Sequence, residues 1–272
     1  MSIIPKDRTI EALAAVWASL DELLSSLDTE QWATPTVLEG WDVQANVAHV
    51  IGTEQMLLGV PGPDITIDRD GTPHVRNDIG AFNEVWVREL DGRSPAEVLA
   101  MFRDVTSRRL AALRDMSRTE WDAESFTPAG KDTYGRFMQI RVFDCWFHEQ
   151  DIREAVSRPG HVDGVAVDVT LDELTTAMGF VVGKRAGVPQ GESVTFELTG
   201  SGARTIHVEV GERAAVVESL DTPASVTIRL PVLQFTRLCG GRTAVEPARE
   251  LIDVVGDIEL GERVLANLAY TV

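Results

Sequence analysis

The sequence predicts a helix bundle over residues 1–157 followed by a smaller α+β domain over residues 165–272. Two observations set that expectation. Apolar residues recur at helical spacing through the first 156 residues, and period-two runs dominate later. Between the two regimes lies a breaker-rich segment, Ser157-Arg-Pro-Gly-His-Val-Asp-Gly164.

Ile10, Leu13, Val16, Trp17, Leu20, Leu24 and Leu27 follow the i, i+3, i+4 rule and predict an amphipathic helix over about 6–27. A polar break with Pro35 and Gly40 comes next. Asp42 is a good N-cap for a second helix, which runs to Leu58 before Gly59. Residues 59–77 hold prolines and glycines around Ile65-Thr-Ile67 and read as a long loop, with His74 a solvated loop residue. A helix over about 78–91 follows. Ser94-Pro95-Ala96-Glu97 is a capping box with proline at the first helical position, opening a helix to about Arg114. Another loop, with Pro128 and Gly130, leads to a helix that begins near Thr133 and carries Arg141 to Ala155. In such a bundle, ligating side chains project from facing helices into the core.

In the second half, Leu171 to Arg185 reads as helix. Val194–Leu198, Ile206–Val210, Ala215–Val217 and Val226–Leu230 read as strands. Helices near 231–239 and 257–269 flank a short strand, Leu251–Val255, giving a sheet with helices to one side. His161 reads as solvated, and His207 belongs to a polar strand face.

Composition narrows the function classes. The 272 residues carry a net charge of −18, which argues against nucleic acid or an anionic membrane surface as the main partner. No apolar run is long enough to cross a membrane, and Met1-Ser-Ile-Ile-Pro-Lys-Asp-Arg has no apolar signal core. The two cysteines, Cys145 and Cys239, fit free thiols in a reducing cytoplasm. A small-molecule substrate and a monomer or weak homodimer are expected.

The chemistry concentrates in Arg141-Val-Phe-Asp-Cys-Trp-Phe-His-Glu-Gln-Asp-Ile-Arg-Glu-Ala155. Asp144 and His148 lie one helical turn apart on one face, so a carboxylate and an imidazole can converge on one ion. Spacing alone leaves two readings open, a metal site or an ion pair within the helix. A metal needs a third ligand, and His49 in Gly40-Trp-Asp-Val-Gln-Ala-Asn-Val-Ala-His49 is the best donor. Cys145 and Asp151 border the same face. Cys145 reads as a small buried residue in preference to a ligand. Asp151 either orients a neighbouring group or pairs with Arg153, and Trp41 and Trp146 either line the pocket or fill the core.

Gly40-Trp41-Asp42 leading to His49, together with Asp144-x-Trp146-x-His148-x-x-Asp151-Ile152-Arg153-x-Ala155, resembles the mycothiol-dependent maleylpyruvate isomerase family. Gly240-Gly241-Arg242 and Val255-Gly-Asp-Ile-Glu-Leu-Gly-Glu-Arg263 extend the resemblance into the second half. It implies a DinB-like four-helix metal-binding bundle followed by a sterol-carrier-protein-like domain. The implied ligands are His49, Asp144 and His148, holding a divalent ion, usually zinc, with mycothiol as thiol cosubstrate. It also implies a catalytic arginine in the C-terminal domain, matched here to Arg242. The family's isomerases carry glutamate at the position of Asp144, so the resemblance leaves metal preference and the reaction itself open. Isomerisation, thiol transfer, water-based hydrolysis and ligand binding without turnover are the functions to be separated.

Overall fold

In the computed structural model, which describes residues 1–271, the chain divides into two compact units, Met1–His161 and Val162–Val272. Five long helices build the first: α1 (Lys6–Ser25), α3 (Val43–Leu57), α4 (Asp78–Leu90), α5 (Pro95–Asp115) and α7 (Tyr134–Ala155). Two single-turn helices, α2 (Thr29–Trp32) and α6 (Arg118–Trp121), lie between them. Both are opened by capping boxes, Asp28 with Gln31 and Ser117 with Glu120. The segment expected as a loop before α7 is a hairpin of β1 (Glu124–Thr127) and β2 (Gly130–Thr133). Thr133 ends the hairpin and caps α7 in one residue, its hydroxyl accepting from the Arg136 N–H at 3.1 Å.

α1 and α5 bury the stripe that their periodicity marks, whereas α3 is buried almost continuously from Val43 to Glu54. Leu13, Val16, Trp17, Leu20 and Leu24 of α1 pack inward against α5 and α7, and α3 packs against α4, α5 and α7. The contact of α3 with α4 is close because Gly52 has no side chain there. A Cβ at Gly52 would lie 2.2 Å from the Trp86 ring. α5 opens at the capping box, where Glu97 accepts from the Ser94 N–H at 2.9 Å. Between α3, α5 and α7 the interior also holds charge: Glu54, Arg109 and Arg141 are each almost fully buried.

The second unit is a five-stranded sheet in the order β5-β4-β3-β6-β7, with strands β3 (Ser193–Thr199), β4 (Arg204–Val210), β5 (Ala214–Val217), β6 (Val226–Pro231) and β7 (Asp253–Gly256). β3 and β6 run parallel, and the other pairings β3–β4, β4–β5 and β6–β7 are antiparallel. Val194, Phe196, Leu198, Ile206, Val208, Val226 and Ile228 form the apolar face. It is covered by α8 (Val165–Phe180), α9 (Val232–Cys239) and α11 (Ile258–Leu265), and Phe235 meets Phe196 at 5.5 Å between ring centroids. The small α10 (Val245–Ala248) precedes β7. α8 starts before the expected Leu171 because Gly164, at φ +89, turns the chain with no side-chain cap to mark the start. Past Phe180 it continues as a π turn through Arg185. The last helix stops at Leu265, short of the expected 269. His207 lies on the opposite sheet face, bonded to the Thr195 hydroxyl at 2.9 Å. Among the described residues no helix is long and apolar enough to cross a membrane.

Gly52→Ala tests the α3–α4 approach. The added methyl must displace a buried indole, so chemical denaturation is expected to show a loss of about 1–3 kcal/mol.

Candidate metal centre

The site is assembled by α3 and α7. Ahead of α3, Gly40 adopts φ +79, and a Cβ there would lie 2.6 Å from the His74 ring. Glycine therefore serves both the turn and the close approach of an imidazole. Asp42 caps the helix by accepting from the Ala45 N–H at 2.8 Å. Trp41, between them, presents its ring 5.5 Å from the His49 ring and 5.9 Å from the His148 ring.

Asp144 and His148 stack on α7, and His49 reaches them from α3. His49 Nε2 is 3.0 Å from Asp144 Oδ2, and His148 Nε2 is 3.6 Å from Asp144 Oδ1. One ligand-capable atom from each residue lies within 4.8 Å of the other two. Ligands about 2.0–2.1 Å from a tetrahedral ion stand roughly 3.3 Å apart, so the spacing suits a small divalent ion. Asp144, though shorter than glutamate, has the reach to join both imidazoles.

A neighbour orients His148. Asn46 lies three residues before His49, on the same helix face. Its Nδ2 donates to the Asp42 carbonyl at 2.8 Å and to the Thr36 hydroxyl at 3.2 Å. A carbonyl can only accept, so the amide is fixed with Oδ1 toward His148 Nδ1, 2.7 Å away. The neutral ring then carries its proton on Nδ1 and keeps the Nε2 lone pair for a ligand. Asp151 Oδ2, 3.6 Å from the same Nδ1, adds negative charge behind the ring. His49 Nδ1 is buried without a hydrogen-bond partner. The donor set, two imidazoles and one carboxylate with the second ring oriented from behind, fits a divalent ion with coordination positions left open.

Residues 13–153 match the model of the mycothiol maleylpyruvate isomerase N-terminal domain, and residues 168–263 match the C-terminal domain of the same family. The chain belongs to the mycothiol maleylpyruvate isomerase family. Its fold is similar to the crystal structure of the mycothiol-dependent maleylpyruvate isomerase, with TM-score 0.57 and 18% identity over 89% of this chain and 93% of that one. A histidine-to-alanine variant of the isomerase matches with TM-score 0.57 and 16% identity, over 93% of this chain and 95% of that one. Two uncharacterized proteins of Mycobacterium tuberculosis, from strains CDC 1551 and H37Rv, are each 26% identical over 140 residues. That match takes in 50% of this chain, which spans about half the length (52%) of each of these relatives.

Within this family member the surroundings move the charge states of the three residues in different directions. Burial is the largest influence on both imidazoles and disfavours their protonation. It prevails at His49, whose pKa is lowered. At His148 the charge of Asp144, with Asp151 behind, outweighs burial and raises the pKa. Burial also opposes ionisation of Asp144, but Arg141 and then His49 outweigh it and hold the carboxyl well below the usual range. Arg141, one turn earlier on α7, donates to Asp144 Oδ2 through Nη1 and to Glu54 through Nε at 2.9 Å. Glu54 in turn accepts from Arg109 at 2.8 Å. Cys145 is fully buried, and burial pushes its thiol up to about 12. It packs as a neutral thiol 3.3 Å from Arg141 Nη2.

The structure also places the other residues singled out in the sequence. Trp146 is core: its indole donates to the His161 carbonyl at 2.9 Å and its ring neighbour is Phe147. Asp151 is buried beside His148 Nδ1, and Arg153 binds Glu149 at 2.8 Å. His161 is not solvated, since the buried carboxylate of Glu149 holds its Nδ1 at 2.6 Å. His74 is likewise tied down, 3.0 Å from Glu84. Arg242 belongs to the second unit, where Gly241 turns the chain at φ +64 and the guanidinium donates to the Gly240 carbonyl at 2.8 Å. Asn46, Arg141, Glu54 and Glu84 went unread. The available signal was a polar residue on an otherwise apolar helix stripe.

The depressed pKa of Asp144 has a defined sign for stability. Its contribution is present above the unfolded value of about 3.9 and is lost as pH falls toward the lower folded value. In chelator-treated protein, thermal melts should show a drop over that acid range that Asp144→Asn flattens, with the variant already less stable at neutral pH.

Proposed function

We propose that this chain is a metal-dependent, mycothiol-dependent transferase or isomerase that activates the thiol for attack on a small electrophile. The observation that supports this reading best is the convergence of His49, Asp144 and His148 on facing helices, with Asn46 fixing one imidazole. Family membership and a fold shared with the mycothiol-dependent maleylpyruvate isomerase point the same way.

In this mechanism His49, Asp144 and His148 hold the ion, with zinc the best match to the donor set. When bound, the ion supplies Lewis acidity that lowers the pKa of an incoming thiol, making thiolate available at neutral pH. The rest is the work of the chain. Arg141 keeps Asp144 ionised and ready to ligate. Asn46, with Asp151 behind it, keeps the His148 proton on the nitrogen away from the site. Trp41 walls one side of the imidazole pair and limits the approach of water and substrate. A cytoplasmic setting suits the two buried free thiols.

Metal analysis after reconstitution should find about one divalent ion per chain, and His148→Ala should remove most of it. Asn46→Ala should weaken binding about 10- to 100-fold, as loss of an orienting partner does, with helical content retained. Consumption of mycothiol across a panel of electrophiles completes the test. Turnover without thiol would turn the reading toward hydrolysis, and an ion-free wild type would reduce the site to an ion pair.

We assign Arg242 the task of gripping an anionic group on the substrate. Arg242→Ala should leave metal content and melting temperature near wild type while kcat/KM falls by an equivalent of about 2 kcal/mol or more. Turnover at the wild-type rate would remove Arg242 from the mechanism.

A further inference from the structure

Glu84 of α4 is 2% exposed, yet it belongs to neither the ligand set nor the Arg141 network. Three donors converge on it. Trp41 Nε1 donates to Oε2 at 3.2 Å, His74 Nε2 lies 3.0 Å from the same oxygen, and Arg88 Nε donates to Oε1 at 2.8 Å. One carboxylate thus joins the turn before α3, the 59–77 segment and α4. The other edge of the His74 ring lies against Gly40, where a Cβ would be 2.6 Å away. The indole that Glu84 holds is the one facing both His49 and His148.

We propose that Glu84 is a positioning residue that fixes the Trp41 indole against the imidazole pair and, through His74, ties the 59–77 segment to that wall. An acceptor is required at Oε2 because the indole N–H can only donate. Leaving that N–H and the imidazole without a buried partner favours their release to water. Trp41 then loses its fixed orientation, and the segment loses an anchor. Arg88 is half exposed and can turn to solvent, so its bond to Oε1 is dispensable. The consequence for catalysis rests on the thiol-dependent reading above: a fixed indole gives the thiol a defined approach.

The test compares Glu84→Leu, Glu84→Gln and His74→Ala with wild type, first as metal-free protein. The 59–77 segment contains two exposed tryptic sites, Arg69 and Arg76, so its release is read as cleavage there by mass spectrometry. Acrylamide quenching of Trp41 is isolated by subtracting Trp41→Phe in each background. Glu84→Leu should raise Trp41 quenching about twofold or more and cleavage about tenfold, following the open population. Glu84→Gln, which keeps an oxygen at the Oε2 position, should restore both to near wild type. His74→Ala should speed cleavage and leave Trp41 quenching unchanged. In zinc-loaded protein, Glu84→Leu should raise the KM for mycothiol by about fivefold or more with a smaller change in kcat. Unchanged quenching and cleavage in Glu84→Leu, or equal disruption in Glu84→Gln, overturns the proposal. Should Glu84→Leu fail to fold, unchanged cleavage in His74→Ala overturns it as well. The metal-free measurements stand whether or not the protein consumes mycothiol, so failure of the thiol reading and failure of the Glu84 role are told apart.

Discussion

The arrangement of the first unit depends on one buried chain of charge. Arg109 and Arg141 both bind Glu54, and Arg141 passes on to Asp144, which meets His49. Four side chains of alternating sign thereby link α3, α5 and α7 through the core. Breaking one of the buried pairs to Glu54 costs about 3–5 kcal/mol because the orphaned charge has no water to turn to. The network therefore constrains where the three helices sit. It also sets the state of the site, since the guanidinium that closes it keeps Asp144 charged. Stability and ligand preparation share the same side chains, and a substitution at Glu54 or Arg109 would reach the site without touching a ligand.

How much of this is legible in the sequence depends on the range of the signal. Helices carried local marks, the apolar stripe of α1 and the capping box of Ser94 and Glu97, and those marks are where the helices are. The stacking of Asp144 and His148 needed only helical geometry. The hairpin of β1 and β2 left no such mark, because Glu124-Ser-Phe-Thr and Gly130-Lys-Asp-Thr are too short and polar to alternate. The start of α8 was hidden for a related reason, as Gly164 offers no side-chain cap. Asn46 shows in the sequence only as a polar residue on an apolar stripe, and its role depends on a partner on another helix.

The two misread histidines share a physical cause. His74 and His161 sit among loop residues, where solvation is the default expectation. Each is instead bound by a glutamate buried on a helix, Glu84 or Glu149. A buried carboxylate is costly without donors. Both glutamates also take an arginine one turn along their own helix, Arg88 and Arg153. The local i, i+4 pair is visible in sequence, and it looks complete. Carboxylates have acceptor capacity for more than one donor, and the remaining capacity captures a histidine from a distant loop. Such captures pin long connections at little cost in sequence.

Aspartate at position 144 acquires a structural sense from Arg141. The arginine lies three residues earlier on α7, so its guanidinium approaches the carboxylate from the same helix face. A short side chain keeps one oxygen within that grip while the other faces His148 Nε2 at 3.6 Å. A glutamate would carry the carboxylate one methylene further from the helix and would have to fold back to keep both partners. The aspartate and the arginine thus form one unit on α7, anchored through Glu54 to α3. In that unit the carboxylate's charge is fixed before any ligand arrives, and its position is set by the helices it holds together.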